Sequence, residues 1–194
     1  MFLDFGKVWK NSGAQNDALI VFHDLNTRYA EPHRHYHNLK HICAVFAEFS
    51  AARQLCPHPN EVELAIWFHD AIYDPKAKDN EEQSANLCAD AVLRGGAPGE
   101  IVDRTVALIL ATKHTALPSG VDAAVLVDAD LSILGQPPSD FDAYEINIRK
   151  EYAWVDDDAF RKGRAAVLQS FLDRPRIFTT EHFAQLYESR LAKI

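Results

Sequence analysis

The chain has 194 residues, 47% of them hydrophobic and 25% charged, with a formal net charge of −8. That length fits one domain with a substantial core, and the composition is ordinary for a globular protein. The acidic balance argues against a nucleic-acid polymer as partner, which needs a basic surface, but leaves a nucleotide substrate open. No apolar run approaches the roughly 20 residues of a membrane span. Met1-Phe2-Leu3-Asp4-Phe5-Gly6-Lys7 lacks the basic-then-apolar order of a signal peptide. Cys43, Cys56 and Cys88 show no CxxC spacing, so reduced thiols and a cytoplasmic location are expected. Cys43 and Cys88 are expected in the core.

Residues 1–15, with Gly6 and Gly13, read as a loosely ordered lead-in. From Asn16, the apolar positions Ala18, Leu19, Phe22, Leu25 and Tyr29 follow helical spacing, and Pro32 breaks the pattern. A second helix is expected to open within Arg34-His35-Tyr36-His37 and to run through Val45, Phe46 and Phe49 to about Leu55. After the Cys56-Pro57-His58-Pro59 turn, Asn60 is the expected N-cap of a helix that carries His69-Asp70 and ends near Tyr73, before Pro75.

Asp79 or Asn80 starts a further helix, with Glu81 and Glu82 in its first turn and a stop at Gly95-Gly96. Ile101 to about His114, Val121 to Leu134, about 139–153, about 156–173 and a last segment from about Thr180 complete the set. Strand-like alternation is almost absent. The expected fold is therefore all-α: a single domain over residues 1–194, with a core at about 16–153 and C-terminal helices at about 156–193.

Three apolar segments carry ionisable side chains. His37 and His41 are four residues apart and share one helix face. His69 and Asp70 follow Leu64-Ala65-Ile66-Trp67-Phe68, and Asp128 and Asp130 lie within Ala123 to Leu134. Burying any of these without a partner costs several kcal/mol. A fold in which His41, His69, Asp70 and Asp130 meet offers two imidazoles and two carboxylates to one divalent cation. That donor set suits Mn, Fe, Co, Ni or Zn better than Ca or Mg, which prefer oxygen shells.

The order His41…His69-Asp70…Asp130 on successive helices resembles the HD superfamily of metal-dependent phosphohydrolases, and more closely a bacterial branch of predicted HD phosphohydrolases. Further matching stretches are Arg34-His35-Tyr36-His37-Asn38-Leu39-Lys40-His41, Trp67 to Pro75, Asp79 to Ala85 and Arg149-Lys150-Glu151-Tyr152. The resemblance covers most of the chain. It implies that His41, His69, Asp70 and Asp130 hold one metal, with His37 as the alternative to His41. Asp130 is preferred to Asp128 because Ala129-Asp130-Leu131 matches the family's Ala-Asp-x-Leu form to within one residue. Asp128 is then a helix-internal partner or an orienting group.

The implied reaction is hydrolysis of a phosphomonoester or phosphoanhydride of a small molecule, above all a nucleotide. Asp70 would orient the water. His114 would contact phosphate or donate a proton, and Glu81, with Glu82 and Asp74 beside it, is a candidate base. Arg34, His37, Lys113, Arg149, Lys150 and Tyr152 are candidate substrate contacts, although Arg149 and Glu151 could instead hold helices together. His114 is the sole histidine between Asp70 and Asp130, so one metal is expected rather than two. A di-iron oxygenase and a metal-stabilised binding module are the competing functions. A homo-oligomer is possible through the apolar last helix.

Overall fold

A computed structural model describes residues 2–193, with side chains over 5–191. Ten α-helices occur among the described residues: α1 (Phe2–Asn11), α2 (Ala18–Tyr29), α3 (Leu39–Ala52), α4 (Pro59–Phe68), α5 (Asn80–Arg94), α6 (Gly99–Ala111), α7 (Val121–Asp130), α8 (Pro138–Glu151), α9 (Asp157–Leu172) and α10 (Glu181–Tyr187). Short 3-10 turns follow α3, α7 and α10, and no strand occurs among the described residues. The domain is all-α, and among the described residues no helix is long and apolar enough to cross a membrane.

α4 is the axis of the bundle. Val62 and Leu64 through Phe68 are all buried, as expected of a helix that is apolar on every side. α1, α3, α5, α6 and α7 pack around it. α7 is nearly as enclosed, with Ala123 and Val125 through Ala129 buried.

The first helix corrects the expected lead-in. Phe5, Val8 and Trp9 sit at i, i+3 and i+4 and are buried, so one face of α1 packs against the bundle. The Phe5 ring meets Trp67 edge-on at 5.4 Å, and Phe22 and Phe46 complete the aromatic cluster at 6.0 and 5.5 Å from Trp67. Gly6 does not break α1. Gly13, at φ 81°, ends the segment in the left-handed region. The loosely ordered lead-in expected over residues 1–15 overlooks the apolar spacing of Phe5, Val8 and Trp9.

Other boundaries shift for local reasons. Residues 34–37 lie outside α3, because Asn38 is its N-cap and accepts from the Lys40 N–H. Pro59 occupies the first turn of α4, so His58 rather than Asn60 is the N-cap. Cys43 is exposed, contrary to expectation, while Cys88 is buried. Asp128 is neither a ligand nor an orienting group. Its carboxylate accepts from the backbone N–H groups and hydroxyls of Thr179 and Thr180 at 2.6–3.2 Å, tying the chain before α10 to α7.

Gly95 tests the packing of α1. Its φ of −64° suits any residue, but an added Cβ would lie 2.7 Å from both the Trp9 ring and Ala14 Cβ. Gly95→Ala is expected to lower stability by about 1–3 kcal/mol through overpacking. Gly6→Ala, with nothing within 4 Å of its added Cβ, is expected to raise stability by about 0.5–1 kcal/mol. Urea unfolding of the two variants measures both, and equal effects would contradict the docking of α1.

Candidate metal centre and cavity

The site begins where α4 ends. His69 keeps helical geometry and donates its N–H to Ala65 O at 2.8 Å, but the regular helix stops at Phe68, not near Tyr73. A helix that ends inside a core leaves carbonyls needing donors. The buried Tyr29 hydroxyl donates to Trp67 O at 2.9 Å. Arg34 donates to Asp70 O at 2.6 Å, Ala71 O at 3.0 Å and His37 O at 3.2 Å, and its Nε pairs with Glu31 at 2.8 Å. This corrects the expectation that Arg34 binds substrate: the guanidinium is buried and spent on backbone, and it shapes the His69-Asp70 turn.

The turn aims both side chains at α3 and α7. His69 Nδ1 lies 3.0 Å from Ile66 O. A proton on Nδ1 satisfies that carbonyl and leaves the Nε2 lone pair free. His41 Nε2, from α3, lies 3.2 Å from His69 Nε2. Asp130 Oδ1, from the end of α7, lies 3.2 Å from His41 and 3.6 Å from His69. Asp70 Oδ2 is 3.3 and 3.2 Å from the same two nitrogens.

His41, His69 and Asp130 form a group that can hold a metal ion. Donors each about 2.1 Å from a common ion lie about 3.0–3.4 Å apart at octahedral or tetrahedral angles; the two His41 distances of 3.2 Å fall in that range and the His69–Asp130 distance of 3.6 Å is slightly wider. Both imidazoles are buried, whereas the Asp70 and Asp130 side chains are 18% and 13% exposed. They border a cavity of about 790 Å³ lined by His37, His41, Asp70, Asp130 and His114 among others. An ion here would face open space on one side, as catalytic sites require and structural sites do not.

Charge in the cluster is strongly coupled. Burial opposes protonation of His41 and His69, but Asp70 and Asp130 outweigh it and raise both imidazoles above their ordinary value, His69 the more. Burial likewise opposes ionisation of Asp70 and Asp130, and the imidazoles overcome it, holding both carboxyls well below the usual range. Without an ion, protons fill the gap between the two charge types; a cation would replace them.

His114 belongs beside this cluster. Its Nε2 lies 3.0 Å from Asp130 Oδ2, and its ring meets Phe171 edge-on at 5.7 Å. The residue has φ 56° just past α6, a left-handed position that usually falls to glycine. Arg174 donates to its carbonyl at 2.6 Å and helps hold it there. A histidine kept in that conformation next to a candidate ligand is strain of the kind found at functional sites.

The remaining candidates divide. Glu81 lines the cavity, and burial together with the Asp70 charge raises its pKa. Lys113 also lines it but is paired with Glu82. His37 is not in the cluster: its Nδ1 lies 2.7 Å from Glu151, and its ring stacks on Tyr73 at 4.2 Å. Tyr152 is on the wall. Arg149 corrects the substrate-contact expectation, because it grips Tyr152 O, Val155 O and Asp157 and braces the turn between α8 and α9. Lys150 is exposed and bonds Asn147.

Sequence reasoning missed the scale of what Glu151 does. This buried carboxylate accepts from the Tyr36 and His37 N–H groups and the Tyr73 hydroxyl, and although burial opposes ionisation, His37 brings its pKa down to about 2. It also missed Tyr36, Tyr144, Trp154, Phe160 and Arg164 as cavity walls. The one available signal was the run of aromatics from Tyr144 to Phe160.

A scan against protein-family models, a search of curated proteins and a search of solved structures each returned no match.

The cluster predicts opposite pH trends with and without an ion. The raised imidazoles stabilise the ion-free fold fully below their unfolded value, about 6.5, and lose that contribution as pH rises through the folded values. The lowered carboxyls act above about 3.9 and lose their contribution as pH falls. Ion-free protein should therefore lose stability from about pH 6.5 upward, while the rise in Tm on adding Mn should grow from about pH 6 to 8, since ligation needs deprotonated imidazoles. Thermal melts at fixed Mn, with Asp130→Asn as control, measure both trends. A Tm rise independent of pH would contradict ligation by His41 and His69.

Proposed function

We propose that this chain is a metal-dependent phosphohydrolase of the HD type, acting on a phosphate ester or anhydride of a small molecule. The observation that carries the reading is the meeting of His41, His69, Asp70 and Asp130 at the buried end of an open cavity. The order of these residues matches the HD resemblance, and the cavity leaves room for substrate beside them. When bound, a divalent cation acidifies water and draws charge from a phosphoryl oxygen.

The chain's own groups supply the rest. His41, His69 and Asp130 would hold the ion. Asp70, within 3.3 Å of both imidazoles, would add a fourth ligand or orient the attacking water. His114, fixed on Asp130 and lining the cavity, is placed to take or give a proton; its Nδ1 is buried without a hydrogen-bond partner. Glu81 is the second acid–base candidate, its raised pKa suiting proton transfer. Tyr36, whose pKa burial raises well above 10, stays a neutral donor beside His41, their rings 4.9 Å apart.

A phosphate-release screen over nucleotides and sugar phosphates, with Mn, Co, Ni or Zn added, tests the reading. Metal-dependent release is expected, abolished by Asp70→Ala. His114→Ala is expected to lower kcat by about 10²–10⁴-fold, the usual worth of a general acid or base, without loss of bound metal. Metal-loaded protein that releases no phosphate from any substrate would refute the hydrolase, and two irons per chain would favour the oxidative reading.

A further inference from the structure

The cavity is far larger than the metal centre needs, and its outer part has a different chemistry. Tyr152, Trp154 and Phe160, from the α8–α9 turn and the start of α9, line it there. The Tyr152 and Trp154 rings are nearly parallel, 28° apart with centroids at 6.3 Å, and Phe160 lies 6.1 Å from Tyr152. Trp154 is 54% exposed, so water covers much of a large apolar ring at the cavity mouth. Lys76 Nζ sits 5.5 Å from that ring, and Lys78 also lines the cavity. The near-parallel Tyr152 and Trp154 rings, with Phe160 tilted 46° from Tyr152 and the Arg149 guanidinium 4.8 Å over the Phe160 ring, place aromatic faces beside cationic groups and match an anion that carries a planar ring.

The wall offers little that could read the edge of such a ring. Asn80 is the one amide side chain among the lining residues, and both its ends are spent on the Asp74 backbone at 2.9 and 3.0 Å. Arg164 forks onto Glu145, and Lys113 is held by Glu82. Recognition by stacking without fixed edge contacts tolerates different rings. We propose that Tyr152, Trp154 and Phe160 form a stacking shelf for the aromatic ring of a phosphorylated substrate, with little discrimination among rings. The shelf extends the phosphohydrolase reading and rests on it for the position of the phosphate.

Trp154 also supplies the readout, because Trp9 and Trp67, the other two tryptophans, are buried in the core. The full chain is titrated with hydrolysis-resistant nucleoside phosphonates carrying each of the four bases, and with ribose phosphonate, following tryptophan fluorescence and calorimetric affinity. All four nucleoside analogues should quench the fluorescence and bind within about tenfold of one another, with ribose phosphonate weaker by about tenfold or more. Trp154→Ala should bring the nucleoside analogues down to the ribose value. Trp154→Phe should keep most of the affinity while losing the fluorescence change. Ribose phosphonate binding as tightly as the nucleosides, Trp154→Ala with unchanged affinity, or no binding at all would each overturn the shelf. Phosphate release from sugar phosphates and nucleotides alike would remove the shelf and leave the hydrolase. Ring-dependent quenching without phosphate release under any metal would do the reverse.

Discussion

A helix buried on every side must still end, and the carbonyls of its last turn must find donors. α4 meets that constraint at Trp67 O with the hydroxyl of Tyr29, and the turn that follows meets it at Asp70 O and Ala71 O with the guanidinium of Arg34. Because backbone partners are supplied from behind, His69 and Asp70 can turn their side chains forward to α3 and α7. The candidate metal site is thus built on the termination of the core helix, and its geometry depends on Arg34 and Tyr29, although neither is in the His41, His69 and Asp130 group that could hold an ion.

Buried carboxylates place the surrounding segments in the same manner. Asp128 holds residues 179–180, Glu151 holds Tyr36 and His37, and Glu61 ties α4 to Arg104 of α6 at 2.7 Å. Each accepts several donors, which offsets the cost of burying charge. Asp128 and Asp130 show how position on one helix divides the labour. Two residues apart, they point to different sides of α7, one toward the C-terminal segment and the other toward the cluster.

The helical class was legible in apolar spacing, and polar residues at positions a core should reject marked the three segments that meet; the choice of His41 over His37 and of Asp130 over Asp128 came from the family resemblance. α1 was not legible, since the short face carried by Phe5, Val8 and Trp9 among the described side chains spans Gly6 and stops before Gly13. Arg34 and Arg149 look like phosphate binders in sequence because a guanidinium fork suits carbonyls and phosphate equally well, and only tertiary contacts decide between them. Glu151 was invisible as the anchor of residues 36–37 because those partners lie more than 110 positions away in the chain. The cavity wall on α9 was equally hidden. Phe171 is the one buried residue of that helix, so α9 shows no core-facing pattern; its apolar residues line a space rather than fill one.

The measurement that bears most directly on this account is elemental analysis of the full chain as purified, beside Asp130→Asn with its fold checked by circular dichroism. The account predicts about one transition-metal ion per wild-type chain and a large loss from the variant. Metal-free wild-type protein that also takes up none of Mn, Fe, Co, Ni or Zn would contradict it, leaving His41, His69, Asp70 and Asp130 as a buried proton-sharing network.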